Sequence, residues 1–252
     1  MKQCKKTISR VSLLLLCLWV ATANAQAVTE YRYKVIEQYP HSTSIFTQGL
    51  EFYNGQLLES AGKFGESSLS LRAIPSDKIL KSHPLPAAFF AEGITQLNGQ
   101  IYQLTWQSGK VFVYDAESFE VLNTLTIKGE GWGLTNNGKE LIMSNGSDQL
   151  HFMNPGNLEL RRSLAVSLQG KPVSGLNELE WVEGKIYANV WRTDWVVIIE
   201  PDSGHITGMV NLKALKPKEA DVLNGIAYDS SQQRLYITGK YWPKLYHIEL
   251  QE

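Results

Sequence analysis

The stretch FFAEGITQLNGQIYQLTW, Phe89 to Trp106, sets Glu92 just behind two phenylalanines and before a glycine, with Trp106 returning at its end. A carboxyl held against aromatic rings loses hydration, which disfavours its charged form and raises its pKa toward the range useful for proton transfer. Glu92 is therefore a candidate general acid/base. Other chemistry has little local support. The histidines (His41, His83, His151, His205, His247) are scattered, and no H-x-x-x-H, cysteine pair or aspartate-rich calcium loop occurs. The expectation is an enzyme with no catalytic metal and no cofactor, a structural ion being left open. Serine-elbow, Walker and dinucleotide fingerprints are also missing.

The elements that must carry Glu92 emerge from an internal repeat. Five segments align: FTQGLEFYNGQLLESAG from Phe46, FAEGITQLNGQIYQLTW from Phe90, EGWGLTNNGKELIMSNG from Glu130, GLNELEWVEGKIYANVW from Gly175 and VLNGIAYDSSQQRLYITGK from Val222. With Gly49, Gly93, Gly133, Glu178 and Gly225 taken as equivalent, the steps are about 40 to 47 residues, the size of a four-stranded propeller blade. Each unit reads as a short apolar strand, a turn such as YNGQ or LNGQ, an alternating second strand, a third such as KVFVYDA and an outer fourth such as VLNTLTIKG. Helical periodicity is absent from these windows. The fold expected is all-β, a five-bladed β-propeller. Its last unit runs out after a third strand, KLYHIEL, while YRYKVIEQYPH near the N-terminus resembles the outer strands. The ring is expected to close by pairing the two ends, because an unclosed propeller exposes two sheet edges. A sandwich or two separate domains is the alternative.

The repeat brings two sets of positions to one rim, since the start of one antiparallel strand lies beside the end of its partner. The first set is Gln48, Glu92, Trp132, Asn177 and Asn224; the second is Gly62, Trp106, Gly146, Trp191 and Lys240. Positions that merely hold a fold keep one residue type, whereas these differ from blade to blade. With Phe46 and Phe90 just upstream, they describe an apolar-walled small-molecule pocket with few converging polar groups. Lys240, Asn177 and Asn224 offer donors for negative charge developing on an oxygen. Glu130, Glu178 and Glu180 read as structural acids. The tryptophans could instead pack blades, Asn224 could form a turn, and Lys240 could be an ordinary exposed lysine. At this point an enzyme stands beside two rivals. One is a non-catalytic propeller binding peptides or glycans at its aromatic rim. The other is a propeller lactonase, which would want more acids for a metal than one rim carboxyl.

Before the repeat, Lys2, Lys5, Lys6 and Arg10 precede the apolar run VSLLLLCLWVA, and Ala23 and Ala25 fit the A-x-A rule. Residues 1–25 are thus expected to be an export signal, leaving 26–252 as one catalytic propeller domain, periplasmic or extracellular. Both cysteines, Cys4 and Cys17, fall in the removed segment, so the exported chain would carry no thiol. A formal net charge of −1 argues against a nucleic-acid or anionic-membrane partner, and no membrane attachment is expected after cleavage.

The motifs FTQGLEF, FAEG, YQLTW, GEGWGL, LNELEW, LNGIAYD and YITGKYWP, in this order over nearly the whole mature chain, resemble those of the plant-type glutaminyl-peptide cyclotransferases. The resemblance implies a five-bladed propeller that converts N-terminal glutamine of peptides to pyroglutamate and releases ammonia without a catalytic zinc. Matched position by position, it implies a catalytic acid at Glu92 and pocket aromatics at Phe46, Phe90, Trp106, Trp132 and Trp191. It further implies a substrate-binding glutamine at Gln48 and polar donors at Asn177 and Lys240. It compels nothing at Asn224, whose substrate-binding role rests on ring position alone.

Cleavage after Ala25 would leave Gln26 first, so the protein could be its own substrate. Mass spectrometry of the mature chain is expected to show an N-terminus lighter by one ammonia; an unmodified amine there counts against self-processing.

Overall fold

The computed structural model describes residues 27–252; the export signal, Cys4, Cys17 and Gln26 lie outside the described residues. Five antiparallel meanders stand around an axis. Blade 1 comprises Thr47–Tyr53, Gln56–Ala61, Ser68–Ala73 and Ile79–Pro84. Blade 2 comprises Ala91–Leu97, Gln100–Thr105, Lys110–Asp115 and Val121–Thr126. In blade 3 the strands are Leu134–Asn136, Leu141–Met143, Gln149–Met153 and Leu160–Ala165. Blade 4 has Leu176–Val182, Lys185–Val190, Trp195–Ile199 and Ile206–Asn211. Blade 5 has Leu223–Asp229, Arg234–Gly239 and Lys244–Gln251, and takes its outer strand, Thr29–Pro40, from the N-terminus.

That closing strand does more than the sequence suggests. Arg32 to Pro40 run antiparallel to Lys244–Gln251, as expected. Thr29 to Tyr31 also pair in parallel with Gly208 to Val210 in the outer strand of blade 4. Blades 4 and 5 thereby become one eight-stranded sheet.

Alternation along each strand leaves apolar side chains between neighbouring blades, and a separate cluster fills each gap. Leu58 and Leu69 meet Ile94 and Ile101 between blades 1 and 2; Leu104 and Val111 meet Leu141 and Met153 between blades 2 and 3. Ile142 and Phe152 meet Leu179 and Ile186, Val196 and Val210 meet Ile226 and Ile237, and Ala227 and Tyr236 meet Leu50 and Leu57. Each such side chain contributes about 1.5–3 kcal/mol when fully buried, so the blades depend on one another.

The glycine shared by the repeats has a steric cause. A Cβ on Gly49 would lie 2.6 Å from the Ile94 amide nitrogen, and one on Gly93 would lie 2.5 Å from that of Leu134. The inner strands therefore touch backbone to backbone at the axis. Blade 4 breaks the pattern with Glu178, whose carboxyl accepts from the adjacent blade 5, Ile226 N at 2.9 Å, and from blade 1 beyond it, Leu50 N at 3.3 Å. Glu180 accepts from Tyr228 N at 2.8 Å, and Glu51 from Gln96 N at 3.0 Å. These three carboxyls bind blade to blade, and burial raises the pKa of each, that of Glu51 to about 7.

The Asn54–Gly55 and Asn98–Gly99 turns have positive φ at both residues, as a tight hairpin matching strand twist requires. At NNGK in blade 3 the turn is longer, Asn137 N bonding Glu140 O, and only Gly138 has positive φ.

A chain beginning at His41 would bare the edge of Lys244–Gln251. It is expected to aggregate and to lose a single cooperative unfolding transition, as read by light scattering and calorimetry.

Candidate active site

The rim positions converge where four of the five inner strands are irregular at their start. Pairing between the first two strands slips at Thr47/Gly49, Ala91/Ile94, Leu176/Leu179 and Leu223/Ile226. The slips coincide with Gln48, Glu92, Asn177 and Asn224. A bulge of this kind re-aims a side chain that alternation would otherwise fix. The second strands are then tied in beside them: Gly62 N donates to Phe46 O at 2.9 Å, Trp106 N to Phe90 O at 3.0 Å, Trp191 N to Gly175 O at 2.8 Å and Lys240 N to Val222 O at 3.0 Å.

The result is a cavity of about 260 Å³ lined by Phe46, Gln48, Phe90, Glu92, Trp106, Trp132, Asn177, Trp191 and Lys240. Its wall is a train of edge-on rings, with Tyr241 against Phe46 at 5.4 Å, Phe46 against Phe90 at 5.9 Å and Phe90 against Trp106 at 5.7 Å. Trp132 and Trp191 continue it at 5.3 Å. Between Trp106 and Trp132 the link is polar: one carboxylate oxygen of Glu130 accepts from both indole N–H groups, at 3.0 and 3.1 Å. Glu130 occupies the repeat position of Phe46 and Phe90 and, without itself lining the cavity, joins two residues that do. The two glycines of the second ring supply room. A Cβ on Gly62 would lie 2.5 Å from the Phe90 ring, and one on Gly146 would lie 2.7 Å from the indole of Trp132.

Polar groups are few and sheltered. Glu92 is 4% exposed, and burial raises its pKa well above the ordinary carboxylate range. The positive charge of Lys240 and the carboxamide of Gln48 pull it back, while Glu130 adds a smaller upward push. The same burial lowers the pKa of Lys240, against the attraction of Glu92 and Asp221. Its ammonium nitrogen lies 4.3 Å from the centroid of the Phe46 ring, where the electron-rich face partly replaces lost water. Asn177 is buried with its carboxamide oxygen unpartnered.

Behind the lining, a relay that sequence reasoning missed fixes the main chain. Tyr114 Oη donates to Gln103 Oε1 at 2.8 Å, Gln103 Nε2 to Ser60 Oγ at 2.9 Å, and Ser60 Oγ to the carbonyl of Glu92 at 2.5 Å. Ser144, at the same repeat position as Ser60, donates to the carbonyl of Asn177 at 2.6 Å. A hydroxyl two residues before each glycine of the second ring was the available signal. Thr47 is held likewise: its hydroxyl donates to Glu59 at 2.8 Å, and Glu59 also pairs with the buried His41 at 2.9 Å.

Asn224 differs from its expected place. It does not line the cavity; fully buried one layer behind, it donates to Thr47 O at 2.9 Å and reaches Gln48 Oε1 at 3.5 Å. The slip at Leu223/Ile226 is shared with blades whose side chains do enter the cavity; what differs in blade 5 is the next residue, Gly225, at φ +129°, where Gly49 and Gly93 have no positive φ, and Asn224 supports Gln48 rather than reaching a ligand. Among the described residues, no group of three or more His, Cys, Asp or Glu side chains is arranged to hold a metal ion.

One desolvated acid sharing an aromatic cup with an ammonium, at the rim of a five-bladed propeller, is the equipment of an acid–base enzyme. The glutamine cyclotransferase family model matches residues 10–250. The chain is 35% identical over 229 residues to the glutaminyl-peptide cyclotransferase of Arabidopsis thaliana, covering 87% of this chain and 71% of that protein. The crystal structure of Myxococcus xanthus glutaminyl cyclase superposes with a TM-score of 0.83 at 34% identity, over 89% of this chain and 98% of that one. A WD40 propeller domain of Doa1, at 10% identity, TM-score 0.50, and covering 81% of this chain and 63% of that one, shares the fold alone. The chain belongs to the glutamine cyclotransferase family.

Glu130→Gln keeps an acceptor for both indoles and removes a charge that raises the pKa of Glu92. Carboxyl ¹³C NMR is expected to show Glu92 titrating at lower pH in this variant. Glu130→Ala, by contrast, is expected to loosen the two indoles, read as faster acrylamide quenching of tryptophan fluorescence.

Proposed function

We propose that this cavity carries out the family's reaction with Glu92 as proton carrier and Lys240 and Asn177 as stabilisers of the oxyanion. The protein is a glutaminyl-peptide cyclotransferase, and peptides bearing N-terminal glutamine are its substrates at the level of the family. The observation that carries the assignment of roles is the burial of Glu92 beside Lys240 in an otherwise apolar cup.

The substrate holds both reactants. Its α-amine nitrogen attacks the side-chain carboxamide carbon, forming the C–N bond of a five-membered lactam, and the original C–N bond breaks to release ammonia. Because the reaction is intramolecular, the enzyme's contribution is conformational selection, proton transfer and charge stabilisation. Phe46, Phe90, Trp106, Trp132 and Trp191 enclose the aliphatic stem and favour the folded conformer in which amine and carboxamide meet. Gln48 orients the carboxamide or the carboxyl of Glu92 by hydrogen bonding, and Asn224 holds Gln48 from behind.

Attack leaves a proton too many on the amine nitrogen and negative charge on the former carbonyl oxygen. The carboxylate of Glu92 takes the proton and returns it to the departing nitrogen, so the leaving group is ammonia rather than amide anion. A raised pKa suits both halves of this transfer, since the group must accept and then give up the same proton. The ammonium of Lys240 and the carboxamide N–H of Asn177 donate to the oxyanion in a site from which aromatic walls exclude water. The raised pKa of Glu92 sets the acid limb of the rate profile: below it the carboxyl is protonated and cannot accept the amine proton.

Export belongs to the same proposal, resting on the basic and apolar leader and the A-x-A site; the mature N-terminal Gln26 would then be one more substrate.

Glu92→Gln is expected to lower ammonia release from a glutaminyl peptide by about two to four orders of magnitude with the fold intact by circular dichroism. Near-normal turnover would remove Glu92 from this role.

A further inference from the structure

Two aromatic rings stand among the large apolar side chains the fold leaves exposed, Phe64 at 58% and Trp191 at 38%. Both lie at the mouth of the same cavity. Trp191 is part of its lining, with the Arg192 guanidinium 4.3 Å from its ring centroid. Phe64 stands just outside, its edge against Phe90 with centroids 5.5 Å apart. An exposed phenylalanine is unfavourable in water and contributes nothing to the core, so its place against the cavity wall calls for a physical account.

The loop that presents it is built and strained for the purpose. Lys63 has φ +122°, a backbone region that residues with a side chain rarely adopt, and Gly65 has φ +79°. Ser67 pins the turn by donating from Oγ to Lys63 O at 2.7 Å, and the same hydroxyl accepts from Ala91 N at 3.0 Å. Ala91 sits between Phe90 and Glu92, so the loop is anchored to the strand that carries the acid. On its other flank the Lys63 ammonium lies 5.5 Å from the centroid of Tyr241, the ring that packs against Phe46. The loop is thus tied to the wall at two places and holds Phe64 outward between them.

We propose that Phe64 is a subsite for the residue that follows the N-terminal glutamine, and that it selects a bulky apolar side chain there. The inference rests on the reading of the cavity as the glutamine site. With glutamine filling the cup, its carbonyl must leave through the mouth, and the next Cα lies about 3.8 Å from the glutamine's own. That distance brings the second side chain to the level of the rim, where the exposed face of Phe64 meets it and loses its remaining contact with water. A glycine in this place touches nothing, and an acidic side chain gains nothing from the ring.

The test is ammonia release from Gln-Phe-amide, Gln-Gly-amide and Gln-Asp-amide by the full mature protein and its Phe64→Ala and Phe64→Leu variants. The parent is expected to prefer Gln-Phe-amide. In Phe64→Ala, kcat/KM for that substrate falls about tenfold more than for Gln-Gly-amide, which corresponds to roughly 1.4 kcal/mol, with the change in KM rather than kcat. Phe64→Leu restores part of the preference. Equal losses on all three substrates, or an unchanged ratio between them, overturn the subsite while leaving the cavity reading intact. Failure of the parent protein to release ammonia from Gln-Gly-amide overturns both.

Discussion

Five inner strands meet so closely at the axis that three of them have no room for a side chain at the contact. Gly49 and Gly93 lie against the amides of the next blade, and blade 4 instead inserts Glu178, whose carboxyl accepts from the backbones of blades 5 and 1. Every other feature follows from this crowding. It brings the starts of the inner strands into one small circle, so residues distant in sequence line one cavity. Beside it the inner strands of blades 1, 2 and 4 slip against their partners, and the slips coincide with Gln48, Glu92 and Asn177, which line that cavity.

The cavity sets burial against charge. Apolar walls push Glu92 toward its neutral form and Lys240 toward its own, while their mutual attraction works the other way. A buried carboxyl whose charge is opposed by desolvation and favoured by an ammonium is the kind of group that suits the proton transfer proposed above. Holding it in place is the work of a second layer. The Tyr114, Gln103 and Ser60 relay ends on the Glu92 carbonyl, and Ser144 and Asn224 perform the like task for Asn177 and for the strand bearing Gln48. Precision in the first layer is a property of the second.

Much of this was legible in the sequence because spacing alone encodes it. The repeat of glycine, turn and alternating strand fixes the blade number, and strand pairing carries Glu92, Trp106 and Lys240 to one rim. What spacing cannot encode is contact between blades. Asn224 occupies a rim position by count, yet its amide bonds the carbonyl of Thr47 in the neighbouring blade instead of facing the cavity. Glu130 shares a repeat position with two wall phenylalanines, and that position gives no sign that it joins two indoles. The parallel pairing of Thr29 to Tyr31 with blade 4 was equally hidden, since the strand's sequence marks it as an outer strand without naming both neighbours.

That strand has a temporal meaning as well. Thr29–Pro40 leaves the ribosome ahead of every blade, yet its long partner, Lys244–Gln251, is made last. The ring therefore cannot be latched by a nascent chain, however well its first four blades have formed. Loop closure over nearly the whole polypeptide must come at the end, which places this fold among the slow, high-contact-order folders. Until then Arg32 to Pro40 have no strand to pair with, and only Thr29 to Tyr31 can dock, on blade 4.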